Sequence, residues 1–164
     1  MKKRTKRKKA ARREESTYVI EIEDWDLSYS LSLDRHGKIS IGPYWEHTSL
    51  EMKGRFLHPE ALTKPIQVII LGDREKISAL EKPEEYRYEP KAVGGLTVRG
   101  KASEFLGSVP FDAIQTLCLL LQAKKLKYLV LSGQVLHRGS ADIFSMHFSR
   151  DSQFPIHKCK KNPL

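Results

Sequence analysis

Three groups of side chains in this sequence are placed to do chemistry. Glu21, Glu23, Asp24 and Asp26 surround Trp25. Carboxylates this close can share a proton or hold a cation. On an extended strand Glu21 and Glu23 share a face, about 7 Å apart. The same run also suits a solvated edge that repels stray strand pairing, or a docking site for a basic tail. Tyr44, Trp45, Glu46 and His47 directly follow Gly42-Pro43. Aromatics and an imidazole at a strand entrance suit the mouth of a ligand pocket, or a loop folded over the open end of a core. Ser132, Gln134, Ser145 and His147 meet on one face if this part of the chain is a hairpin. Turned inward, that face lines a polar pocket in which His147 could exchange protons near neutral pH. Turned outward, it is ordinary surface. Trp45, His47, Ser132, Gln134, Ser145 and His147 are therefore the candidate ligand-binding residues.

Many other chemistries lack their motif. The chain has no P-loop, no Gly-x-Ser-x-Gly elbow, no His-Glu-x-x-His and no Cys-x-x-Cys. Gly94-Gly95 precedes an expected strand rather than a helix, so it is not a dinucleotide fingerprint. His157 and Cys159 supply two metal-type ligands with no second pair at ligand spacing. No catalytic residue, metal or cofactor is assigned, and a binding protein is expected rather than an enzyme. The two cysteines argue for a reducing compartment without disulfides. Cys118 sits in the apolar run Leu117–Leu121, and Cys159 in a basic segment.

The formal net charge of +9 is unevenly spread. Lys2, Lys3, Arg4, Lys6, Arg7, Lys8, Lys9, Arg12 and Arg13 put nine cations and no acid into the first thirteen residues. The remaining 20 basic residues face 20 acidic ones. Lys158, Lys160 and Lys161 are the cations of a second basic end. The body between the two ends is slightly acidic. The first thirteen residues contain no Leu, Ile, Val or aromatic side chain, too little apolar surface to offset the entropy of ordering. Such a tail releases counterions from phosphates, but it has no ring to stack on a base, so its contacts would be indifferent to sequence.

The 164 residues suffice for one domain. Residues 1–16 read as a disordered basic tail, 17–150 as a single domain and 151–164 as a basic C-terminal tail. The longest apolar run has five residues, Leu117 to Leu121; a membrane span needs about 20. No apolar stretch follows the basic start, so no secretory signal is expected. The expected location is intracellular and cytoplasmic, or nuclear if the host has a nucleus.

Within the domain the dominant period is two. Tyr18, Ile20 and Ile22 alternate with Val19, Glu21 and Glu23. Leu27, Tyr29, Leu31 and Leu33 alternate with Ser28, Ser30 and Ser32, predicting a second strand. Asp34–Gly37 reads as a turn into a return strand at Ile39 and Ile41. Leu50, Met52, Gly54 and Phe56 share one face of a strand over 47–57, with Glu51, Lys53 and Arg55 on the other. Ile66–Leu71 reads as a central strand. Residues 73–91 form a polar excursion with room for a short helix at 74–81. Strands follow at 96–101 and 105–109. Pro110 then opens a long buried helix over about 110–125, packed on more than one side. A hairpin turning at Arg138-Gly139 closes the domain, with Leu129, Leu131 and Val135 facing Phe144, Met146 and Phe148.

The expected fold is α+β: about eight mainly antiparallel strands, as a barrel or a sandwich, with one long helix before the C-terminal hairpin. The expected function is a non-enzymatic binding protein whose basic tail contacts nucleic-acid phosphates. One alternative is a protein–protein module with the tail as address or solubiliser. Another is a small-ligand protein or enzyme with a pocket near Trp45, His47 and His147. The oligomeric state is left open.

Overall fold

The structure, a computed structural model, describes residues 14–33, 44–62, 64–81, 91–100 and 102–151, with the backbone alone at 45, 78, 79 and 80. Residues 1–13 and 152–164 of the two basic tails, the expected return strand at Ile39 and Ile41, and Cys159 lie outside these residues, whereas Glu15 and Ser16, expected in the N-terminal tail, already belong to the first strand and pair with Gln134 and Gly133. The described chain is α+β and sheet-dominated. It holds seven strands and two helices: β1 (Glu15–Leu33), β2 (Tyr44–His58), β3 (Pro65–Asp73), α1 (Arg74–Glu81), β4 (Gly94–Arg99), β5 (Ala102–Pro110), α2 (Phe111–Gln122), β6 (Tyr128–Gln134) and β7 (Ser140–Ser149).

The strands hydrogen-bond in the order β1-β2-β3-β5-β4-β7-β6, and β6 pairs back onto β1, so the pairing closes on itself. Alternation gives each strand one apolar face, and those faces meet inside the ring. Tyr18, Ile20, Leu50, Met52, Phe56, Val68, Ile70, Leu96, Phe105, Leu129, Leu131 and Ile143 form this core. On β2, Leu50, Met52 and Phe56 are buried while Glu51, Lys53 and Arg55 are exposed, as the sequence pattern predicts. Tyr18 fastens the seam between first and sixth strands: its hydroxyl donates to the Gln134 carbonyl at 2.7 Å. Burial pushes this phenol's pKa up.

Four expectations need correction. First, the two strands expected at 18–23 and 27–33 are one strand of 19 residues. The pairing register against β2 shifts between Ile22 and Asp24, so the acidic run is taken up by an irregularity rather than a break. Second, the sheet is mixed. β3 and β5 run parallel, a pairing that single-strand patterns cannot reveal. Third, the helix is shorter and more one-sided. α2 ends at Gln122, and only Ile114 and Leu121 are fully buried in it. Leu119 is 66% exposed. The chain reverses at Lys124, whose φ is 54°. The Lys124 N–H bonds to Leu121 O and the Lys125 N–H to Leu120 O, satisfying carbonyls at the helix end. Fourth, a register shift in β7 places Ile143, not Phe144, opposite Gly133. Ile143 is buried and Phe144 and Val135 are exposed. A Cβ on Gly133 would lie 2.3 Å from the Asp142 carbonyl oxygen, so the missing side chain admits the neighbouring strand.

The hairpin turn itself falls at Arg138-Gly139, with φ of 52° and 80°, the double left-handed geometry of a tight two-residue connection. The short helix at 74–81 is present as α1. No helix among the described residues is long and apolar enough to cross a membrane.

Candidate functional site

The two helices start side by side because β3 and β5 are parallel. Their last paired residues are Asp73 and Pro110, so Arg74 and Phe111 emerge as neighbours. The Arg74 guanidinium lies 4.6 Å from the Phe111 ring centroid, within cation–π range. Asp73 accepts the Glu75 N–H at 2.9 Å and so caps α1. Arg74 also reaches across to β2, where its Nε bonds to Glu46 Oε2 at 2.9 Å and its Nη2 pairs with the same oxygen.

Opposite these helix starts stands an arm. β1 pairs with β6 only through Glu15–Glu21, and β2 pairs with β3 only from Ser49 onward. Beyond those points Leu27–Leu33 and Tyr44–Thr48 have only each other as strand partners among the described residues. One face of this two-stranded arm continues the core face of the ring: Leu27 is opposite Leu50, Tyr29 opposite Thr48, Leu31 opposite Glu46 and Leu33 opposite Tyr44. Leu50 and Thr48 at its base are buried, but its outer apolar residues are not. Leu27, Tyr29, Leu31, Leu33 and Tyr44 are 44%, 56%, 57%, 55% and 64% exposed.

Between arm and helix starts lie two adjoining hollows. One, about 610 Å³, is bordered by Leu31, Tyr44, Glu46, His47, Leu71–Glu75, Ser108 and Phe111. The other, about 330 Å³, is bordered by Leu27, Tyr29, Glu46, Thr48, Phe111, Ile114 and Gln115. Glu46 and Phe111 border both, so the two form one trough. Its electrostatics centre on Glu46. Desolvation, the Glu46 charge and a hydrogen bond to that carboxylate together push the Tyr29 phenol's pKa up. Thr48 Oγ1 is buried in the trough without a hydrogen-bond partner among the described residues. An unsatisfied buried hydroxyl costs about 1–3 kcal/mol.

Of the sequence candidates, His47 borders this trough, and Trp45 lies in β2 beside it by its backbone. Glu46, named in the same motif, is its central charge. Ser132, Gln134, Ser145 and His147 lie elsewhere. Ser132 pairs with Ser145 and Val130 with His147, on the face of the β6–β7 hairpin that points away from buried Leu129, Leu131 and Ile143. Ser145 and His147 are exposed. None of the hollows described above is bordered by both His47 and His147. Tyr29, Thr48, Arg74 and Phe111 were not among the sequence candidates. The available signal was the uncharged alternation of residues 27–33.

Two of the four side chains in the acidic cluster, Glu21 and Glu23, meet the body's own cations. Glu21 accepts from Arg55 Nε and Nη2 at 2.9 and 2.6 Å and meets Lys127 Nζ at 3.1 Å. Glu23 lies 3.6 Å from Arg55. The hydrogen bonds from Arg55 and then Lys127 hold the Glu21 carboxyl below its ordinary pKa. Asp24 and Asp26 accept the backbone N–H groups of Trp25 and Leu27. Among the described residues no group of three or more His, Cys, Asp or Glu side chains could hold a metal ion. Cys118 is free, and burial pushes its thiol pKa up.

Compared with known proteins, the chain matches no family model, no curated protein and no solved structure.

Proposed function

We propose that this protein is a binding module whose trough between arm and helix starts receives an extended segment of a protein partner. The observation that carries the reading is the half-exposed apolar face of the arm, set against Phe111. An elongated trough beside a strand edge unpaired among the described residues suits a chain that adds main-chain hydrogen bonds and buries alternate side chains. The segment would be apolar at every second residue. Glu46 and Arg74, paired with each other, would fix its direction.

Selection of random linear peptides on the immobilised full chain tests this. Enriched peptides should carry alternating apolar residues. Leu31→Asp should weaken their binding at least about tenfold, equivalent to about 1.4 kcal/mol. No enrichment, or peptides indifferent to both Leu31→Asp and Phe111→Ala, would overturn the reading.

A second reading is favoured by the charge layout. Nine cations in residues 1–13 against a formally neutral remainder suit sequence-independent attraction to nucleic-acid phosphates. Binding of labelled DNA and RNA by the full chain and by a chain lacking residues 1–15, across a salt series, tests it. About nine duplex phosphate contacts would give a limiting log–log slope near −8. No binding by the full chain at low salt removes this reading.

A further inference from the structure

The other edge of the arm points to a second copy of this chain. Past Glu21, β1 leaves β6, and residues 26–33 are all exposed. Leu27–Leu33 reads Leu-Ser-Tyr-Ser-Leu-Ser-Leu, with no charge, proline or glycine. Exposed strand edges are normally guarded by charge, proline or a bulge, because unguarded ones pair with other chains. The register shift of β1 lies earlier, between Ile22 and Asp24, and leaves these seven residues regular.

The segment is also self-complementary. In an antiparallel pair of two copies about a two-fold axis at Ser30, Leu27 faces Leu33, Ser28 faces Ser32, Tyr29 faces Leu31 and Ser30 faces Ser30. All seven positions match apolar to apolar and serine to serine. A slip by one residue sets three of the four apolar side chains against serines and the end leucine against Asp34 or Asp26. A slip of the axis to Ser28 sets Asp26 against Ser30 and Asp24 against Ser32. Axes at Tyr29 or Leu31 keep the alternation but match only five of the seven positions and set Asp26 or Asp34 against a serine; the Ser30 register alone uses the whole segment, and it has the isologous symmetry of a two-fold dimer.

We infer that the protein forms a two-fold homodimer by edge-to-edge pairing of Leu27–Leu33 with the same segment of a second copy, joining two arms into one four-stranded sheet. The pairing uses the β1 edge and not the β2 edge at the trough, so it does not rest on peptide binding there. It would set the two apolar arm faces side by side.

Ser30 provides the test, because it sits on the axis and is exposed. Ser30→Lys places two ammonium groups opposite each other, and Ser30→Glu two carboxylates. Sedimentation of the full chain over a concentration series should show a monomer–dimer equilibrium. Each variant alone should weaken it by at least about tenfold, and an equimolar mixture of the two should restore dimer. Circular dichroism of each variant should match the parent. A parent that stays monomeric up to its solubility limit overturns the inference. So do variants that dimerise as the parent does, or a mixture that stays monomeric.

Discussion

The two halves of β1 have the same alternation and opposite fates. In Glu15–Ile22 the apolar positions Tyr18 and Ile20 are 1% and 0% exposed, and the charge beside them, Glu21, is held by Arg55 and Lys127. In Leu27–Leu33 the apolar positions are about half exposed and the alternate positions are serines. The difference is one of neighbours. The first half has a strand on each side; the second has β2 alone among the described residues. Periodicity decides which side chains share a face. What lies over that face is decided by strands and helices far away in sequence.

The contrast can be broken most sharply by core truncation. Phe105→Ala, deep in the ring, should cost about 3–5 kcal/mol of stability, while Leu31→Ala on the arm should stay within about 0.5 kcal/mol. Urea denaturation of both variants measures this. Equal losses would mean that the arm belongs to the cooperative core. A medium effect is expected from backbone crowding at the junction. A Cβ on Gly54 would lie 2.2 Å from the Glu21 carbonyl oxygen, whereas a Cβ on Gly95 would meet nothing within 4 Å. Gly54→Ala should therefore destabilise by about 1–3 kcal/mol, and Gly95→Ala should be nearly neutral or slightly favourable. Thermal melts of the pair sharpen where the tightly packed region begins.

The smallest effect belongs to the ion pairs. Glu21→Gln should cost no more than about 1 kcal/mol, since Arg55 and Lys127 are themselves largely exposed. Its pH dependence has a fixed sign. The folded-state pKa of Glu21 is depressed, so its contribution is complete above the ordinary glutamate value of about 4.3 and fades as pH falls through the lower folded value. Added salt should shrink the difference between parent and Glu21→Gln at neutral pH. A difference that salt leaves intact would mean the pair acts by packing rather than by charge.

Much of the fold was legible locally. Leu50, Met52 and Phe56 declared the inner face of β2, and Arg138-Gly139 declared the last turn. Residues 74–81 had the length and polarity of α1. What was hidden depended on partners. Phe144 and Ile143 are adjacent apolar residues, and only the β6 register decides which points inward. The parallel β3–β5 pair has no local signature, yet it alone brings Arg74 to Phe111. The candidate trough was half visible for that reason. Tyr44–His47 could be singled out from composition. Tyr29 and Thr48 looked like ordinary strand residues, and Phe111 like a helix residue bound for the core.

The seam between β1 and β6 also has a consequence for synthesis. Tyr18 and its hydrogen-bond partner Gln134 are 116 residues apart. At ribosomal speeds of roughly 5–20 residues per second, about 6–23 s separate their emergence. For that interval the first strand can fold against β2 but has no companion on its other side. Both of its halves then present open edges on the nascent chain, and only one of them is closed when β6 arrives. A helper that shields extended apolar strands, or slow translation through residues 60–130, would act on this molecule before its sheet is complete.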